Sequence, residues 1–258
     1  MINKDAITTW GIDHPWPENN QIEQDLLLSK AICEIASNEL LKDELVLRGG
    51  TAFHKLFMPT PYRYSEDLDY VRTKAGGIGD VMKELTALGK RNGFFVNTKI
   101  GVFPKVYWRY TSDNGIPSKI KIEINTFERS PHFECIYKEH IVDSTYYVGH
   151  ANVKTLEVEE LIASKIRALY QRTKGRDLYD IYLALEYLNI DINKVSEAFP
   201  VYKPDNLTRE LLLKNIDLKL SDTQFINDMN NLLRYDAPFY DALIAGKIVK
   251  NKLLSILA

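Results

Sequence analysis

The chain has no apolar run approaching the roughly 20 residues that span a bilayer. It has only two cysteines, Cys33 and Cys135, far apart in 258 residues. That excludes a disulfide scaffold, argues against a thiolate zinc site and fits a reducing cytoplasm. Charge of one sign is also missing. With 33 Lys and Arg against 35 Asp and Glu, the net charge of −2 gives no global pull toward nucleic acid, so any such contact must come from a local basic patch. Met1-Ile-Asn-Lys-Asp-Ala6 opens no signal-peptide pattern, which again predicts a cytoplasmic location with no membrane association. There is no internal repeat and no low-complexity linker. What remains is an ordinary globular composition, 45% hydrophobic and 26% charged, with length for one large domain or two modest ones.

The periodicity divides the chain into two halves. Trp10 to Pro17 reads as a Pro-rich loop, after which Ile22, Leu26, Ala31, Ile32 and Ile35 fall on one helical face. Glu44 to Arg48 reads as a short strand stopping at Gly49-Gly50. Thr51 to Phe57 reads as a helix broken by Pro59 and Pro61, and Asp67 to Arg72 as the next strand. Asp80 to Arg91 looks helical, with Asp80 as its N-cap. Phe94 to Lys99, Pro104 to Tyr110 and Lys119 to Phe127 read as three antiparallel strands, the last two joined by the turn Thr111 to Gly115. From Thr155 the signal is almost wholly helical. The expected fold class is α+β: a mixed or antiparallel sheet with flanking helices over residues 1–150, then an all-α bundle over 151–258.

The most informative stretch is Leu47-Arg-Gly-Gly-Thr-Ala-Phe-His-Lys-Leu-Phe57, followed closely by Ser65-Glu-Asp-Leu-Asp-Tyr70. Side chains two apart on a strand share a face, so Asp67 and Asp69 are expected side by side. Paired carboxylates repel unless a cation sits between them. A hard divalent ion such as magnesium takes oxygen ligands and usually arrives with substrate phosphates. Gly49 and Gly50 permit close backbone approach, the following helix offers N–H groups to an anion, and Thr51 adds a hydroxyl. In Lys119-Ile-Lys-Ile-Glu-Ile-Asn125 the three isoleucines form one face, and Glu123 on the other would serve as a third acidic ligand if this strand neighbours Asp67 and Asp69. Either motif by itself also fits a plain structural turn or a solvated loop.

Further on, Leu156 to Arg172 reads as one helix with Leu161, Ile162, Ile166 and Leu169 buried. Lys165 sits among them, either snorkelling to water or reaching a triphosphate as a point charge. Arg172, two turns on, extends the same positive wall. After Gly175 another helix begins, and Asp177 there either caps it and pairs with Arg176 or Arg172 or serves the reaction. His54 reads as a packing or surface residue. Trp108, between Lys105 and Arg109, reads as core in preference to a base-stacking platform. Lys247 to Lys252 reads as a solvated helix face.

Gly49-Gly-Thr51 followed by Arg63-Tyr-Ser-Glu-Asp-Leu-Asp-Tyr70 resembles the first motif of the nucleotidyltransferase superfamily shaped like DNA polymerase beta. More narrowly it is similar to the AbiEii/AbiGii branch, the toxin half of abortive-infection toxin–antitoxin pairs, which includes the MenT toxins. The resemblance extends to Trp10 through Gln24, to Glu123 and to Lys165 through Asp180, most of the first 190 residues. It implies that Asp67 and Asp69, with Glu123 as third acid, bind Mg2+. It also implies that the Gly49–Thr51 turn, with Ser65, holds an NTP, that Lys165 and Asp177 are needed for activity, and that the helical half completes the site. The expected function is transfer of a nucleoside monophosphate to an acceptor hydroxyl, in some members a tRNA 3′ end, with a cognate antitoxin as partner. Two alternatives stand beside it: a nucleotide-binding regulatory or scaffold protein without transfer activity, and a nucleotidyltransferase acting on a small-molecule acceptor.

Overall fold

The structure is a computed structural model and describes residues 2–257. The chain divides into two compact units. The first comprises residues 1–131, 135–156 and 234–236, and the second comprises 132–134, 157–233 and 237–258.

The first unit is built on one mixed sheet of seven strands: β1 (Leu45–Arg48), β2 (Asp67–Arg72), β3 (Phe95–Lys99), β4 (Lys105–Thr111), β5 (Pro117–Asn125), β6 (Ile136–Asp143) and β7 (Val148–Thr155). They lie in the order β3-β4-β5-β2-β1-β7-β6. The β2–β5 and β1–β7 pairs are parallel and the others antiparallel. Alternation makes the core. Leu68 and Tyr70 of β2, Val106 and Trp108 of β4, and Ile120, Ile122 and Ile124 of β5 are buried. Each such isoleucine removed from water stabilises the fold by about 2 kcal/mol. Trp108 is a core residue, as expected, and its indole N–H donates to the Leu85 carbonyl at 3.0 Å.

The helices of this unit are α1 (Lys4–Asp13), α2 (Asn19–Ala36), α3 (Leu41–Glu44), α4 (Gly49–Ala52) and α5 (Gly79–Arg91). A π-helical turn, Phe53–Phe57, prolongs α4 directly. Three expectations are corrected here. The segment from Trp10 to Pro17 is not all loop, because α1 runs to Asp13. Asn3 caps it by accepting from the Ala6 N–H at 2.8 Å, and Ala6, Ile7 and Trp10 supply a buried face. Asp80 is not the N-cap of α5; Ile78 holds that place and Asp80 lies in the first turn, where its charge still suits the helix dipole. The strands β6 and β7 were not anticipated. Their inward side chains mix His140 and Thr155 with Val142, Ala151 and Val153, while Tyr137, Ile141 and Val148 face outward, so the hydrophobic alternation is blurred.

The elements of the second unit are helices: α6 (Val158–Gln171), α7 (Gly175–Tyr187), α8 (Ile192–Tyr202), α9 (Arg209–Lys219), α10 (Thr223–Asn227) and α11 (Ala242–Val249), the last continued by a π-helical turn, Lys250–Leu254. Side-chain caps at Asp191, Thr208, Asp222 and Asp241 start four of them. Glu160 is fully buried and accepts from the His132 N–H at 2.6 Å, the Phe133 N–H at 3.2 Å and the Tyr202 hydroxyl at 2.6 Å. These bonds hold residues 132–134 to the helices. Among the described residues no helix is long and apolar enough to cross a membrane.

Candidate active site

Strand pairing places the acids. In β2, Asp67 and Asp69 alternate with buried Leu68, so both lie on the face opposite the core. β5 runs parallel beside it in a register that sets Asp67 against Lys121 and Asp69 against Glu123. On the other side, Arg48 of β1 pairs with Asp69, and the next residue is Gly49. The acidic strand and the glycine turn are therefore neighbours through the ladder.

The turn is shaped by what it meets. Gly49 has φ +77°, a left-handed conformation, and a Cβ there would come 2.7 Å from Asp69 Oδ2. Glycine is needed on both counts. At Gly50 a Cβ would run into the Arg63 guanidinium and come 3.2 Å from Ser65 Oγ. Gly50 thus makes room for a buried arginine, which also donates to the Tyr64 carbonyl at 2.9 Å. Thr51 is buried; its hydroxyl donates to the Asp67 carbonyl at 2.5 Å and lies 2.8 Å from Ser65 Oγ. Thr51 and Ser65 are brought together as a clamp between the turn and β2.

A second tether holds the turn from behind. Lys55, one turn further along, donates to Asp25 Oδ1 at 2.7 Å and to Ser29 Oγ at 2.8 Å, both on α2. Trp10 of α1 donates to the other Asp25 oxygen at 3.0 Å, and His14 stacks on Trp10 with ring centroids 3.9 Å apart. Burial alone would raise the Asp25 carboxyl, but Lys55, His14 and the Trp10 hydrogen bond together hold it below the usual range. Sequence reasoning missed Asp25 and Lys55, and gave Arg63 no role beyond its place in the motif. The cue for the first two was a charged residue on each of two apolar helix stripes.

Charge in the site is not left bare. Lys121 Nζ lies 2.7 Å from Asp67 Oδ2 and 3.6 Å from Glu123 Oε2, and Lys105 Nζ lies 2.9 Å from the same Glu123 oxygen. Arg48 pairs with Glu128. Asp69 titrates above the ordinary carboxyl value. Burial is the main cause and the charge of Asp67 adds to it, ahead of the opposing Lys121 and Arg48. Burial alone would lower Lys121, but its hydrogen bond to Asp67 and the charges of Asp67, Asp69 and Glu123 carry it above its ordinary value. Among the described residues no three His, Cys, Asp or Glu are gathered as a metal cage. The donor set still suits a hard cation, since Asp67 and Asp69 offer carboxylate oxygens from one strand face beside a glycine turn.

A polar groove of about 490 Å³ opens beside Asp67, lined by Gln24, Glu66, Arg109, Ser118, Lys119 and Lys121. Tyr107 of β4 lies under two of these cations, with the Arg109 guanidinium 5.9 Å and Lys119 Nζ 5.4 Å from its ring. Gln24 pins the groove floor by donating to the Glu66 and Lys119 carbonyls at 3.2 and 3.1 Å.

In the helical unit, Lys165 does not snorkel. It is buried on α6 with its ammonium on the carboxylate of Asp180, itself fully buried on α7. Asp177 is not the helix cap, because Lys174 holds that place. It receives Arg172 in a two-pronged ion pair at 2.6 and 2.7 Å. The cation–acid pairs are thus Lys165 with Asp180 and Arg172 with Asp177. His54 is buried against Phe53, a packing residue as expected.

Comparison with known proteins gives the family and the fold. No curated protein matches. A solved structure of MenT4, a nucleotidyltransferase toxin of Mycobacterium tuberculosis H37Rv, is similar at a TM-score of 0.64 and 17% identity, covering 100% of this chain and 91% of that one. An antigenic nucleotidyltransferase-like protein from Paracoccidioides brasiliensis aligns at a TM-score of 0.41 and 15% identity, over 92% of this chain and 98% of that one. The profile of the nucleotidyl transferase AbiEii toxins of type IV toxin–antitoxin systems matches residues 30–243, and the chain is therefore a member of the AbiEii family of nucleotidyltransferase toxins.

Proposed function

We propose that this toxin is a magnesium-dependent enzyme that transfers a nucleoside monophosphate from an NTP to the terminal hydroxyl of an RNA, a tRNA 3′ end being the expected acceptor. It would act in the cytoplasm, under a cognate antitoxin. One observation carries the reading: Asp67 and Asp69 share a strand face, and Asp69 abuts a glycine turn in which no side chain fits.

Asp67 and Asp69 would hold the divalent ion; Glu123, across the ladder from Asp69, is bound by Lys105 and Lys121 and would join as third acid only on their release. The ion, when bound, supplies Lewis acidity and offsets charge at the reacting phosphate. Gly49 and Gly50 would orient the triphosphate through backbone N–H groups. Thr51 and Ser65 serve by fixing the turn against β2, and Arg63 adds positive charge behind it. The groove of Arg109, Lys119 and Lys121 supports an acceptor that carries phosphates, since these cations line the approach to Asp67. Tyr107 offers a ring on which a base can stack. Lys165 and Asp177 would serve the nucleotide and its transfer, as the resemblance of their motif implies, and Arg172, paired with Asp177, would add positive charge.

Incubating the protein with each radiolabelled NTP and total RNA tests this. Labelled RNA should form with the wild type and vanish with Asp69→Ala. Undiminished labelling by the variant defeats the assignment of the acid pair. Mass spectrometry of RNA and metabolites after brief expression tests the acceptor, and a modified small molecule with unmodified RNA would overturn that part.

A further inference from the structure

We propose that Lys121 is the resident counter-ion of the acid pair, so that this site takes its divalent cation together with the triphosphate and not beforehand. The inference rests on the nucleotidyltransferase reading and deepens it. Parallel pairing of β2 and β5 sets residue 121 against residue 67, and the Lys121 ammonium lies 2.7 Å from Asp67 Oδ2. It also reaches Glu123 Oε2 at 3.6 Å, where Lys105 of β4 binds at 2.9 Å. Two tethered ammonium groups therefore already hold the carboxylates of Asp67 and Glu123.

A cation arriving alone would have to break the Lys121–Asp67 contact and then remain beside a positive charge that cannot diffuse away. Like charges at that range oppose binding. The same cation carried by a triphosphate brings several negative charges with it, and these offset the lysine. The displaced side chain has somewhere to go, because Lys121 also lines the groove of Arg109 and Lys119. The arrangement is more than a surface pair: both partners are about three-quarters to two-thirds covered, and the strand ladder fixes their separation.

Calorimetry on the full chain tests this with Mn2+ alone and with Mn2+ plus a non-hydrolysable α,β-methylene NTP. Lys121→Gln should bind Mn2+ alone about tenfold more tightly than the wild type, an effect on the scale expected for one removed like charge. Lys121→Arg should behave as the wild type does. With the analogue present, the difference between wild type and Lys121→Gln should shrink. Equal affinities for Mn2+ alone, in variants that melt cooperatively, would overturn the inference while leaving the enzymatic reading intact. A wild type that loads Mn2+ as tightly without the analogue as with it would do the same. Failure of the folded wild type to take up Mn2+ even with the analogue would overturn the metal-site reading itself, and this inference with it.

Discussion

Gly49 and Asp69 are fitted to each other: a single methyl group on residue 49 would stand 2.7 Å from Asp69 Oδ2 and 3.2 Å from its Cβ. The close approach leaves no room for a side chain between the glycine turn and the acid pair.

Gly49→Ala should therefore damage function more than the fold. The left-handed backbone costs a non-glycine residue about 1–2 kcal/mol, and the new methyl must also push the Asp69 carboxylate aside. A lowered but cooperative melting transition with lost nucleotide transfer is the expected result. Normal transfer by this variant would show that the turn and Asp69 need not touch.

Asp69→Asn should lose transfer by about a thousandfold, the scale of removing one key electrostatic contact, yet melt higher than the wild type without metal. The sign follows from linkage. The folded-state pKa of Asp69 is raised, first by burial and then by Asp67, so the folded protein holds this proton more firmly than the unfolded chain. Wild-type stability falls as pH rises from the ordinary value of 3.8 through the folded value, and the penalty stays constant above that. The asparagine escapes it. Urea titrations of both proteins at pH 7 and near pH 3.5, in chelator, should show the advantage at the higher pH and not at the lower. Added Mn2+ with the NTP analogue should stabilise only the wild type.

His140 gives a pH effect away from the site. It is buried on β6, and burial, with the Lys55 charge, pushes its pKa down to about 4. The unfolded chain binds the proton from about pH 6.5 and the folded one only near 4, so stability is full above 6.5 and declines as pH falls between these values. The loss should approach about 3 kcal/mol. His140→Phe should remove this component, seen as a flatter stability profile from pH 6.5 to 4. An unchanged profile would mean that His14, lowered by burial in the same sense, or another group carries the effect.

Much of the first unit was legible because its pattern is strong. Asp67–Arg72 was read with the observed bounds, and the pairs Leu68/Tyr70 and Asp67/Asp69 separate as alternation requires. The strands β6 and β7 were not legible, because a histidine and a threonine share the inward face with Val142, Ala151 and Val153 while Tyr137, Ile141 and Val148 face out, so apolar residues lie on both faces. Periodicity also could not reveal partners. That Lys121 lies on the face of Glu123 follows from spacing, but its pairing with Asp67 follows only from the β2–β5 register. Likewise Lys165 was readable as an anomalous cation on an apolar stripe, whereas its partner Asp180, rather than Asp177, depends on how α6 and α7 pack.

That partner changes how Lys165 must be tested. Lys165 and Asp180 are both buried, so removing the ammonium breaks a buried ion pair at a cost of about 3–5 kcal/mol. Loss of activity in Lys165→Met would then be ambiguous between chemistry and unfolding. The double variant Lys165→Met with Asp180→Leu removes both charges and should recover most of the lost stability, since apolar residues can replace a buried pair. If the lysine serves the nucleotide, this refolded double variant should remain inactive, with weakened NTP binding by calorimetry. If the lysine serves only the helix pair, transfer should return along with the melting temperature.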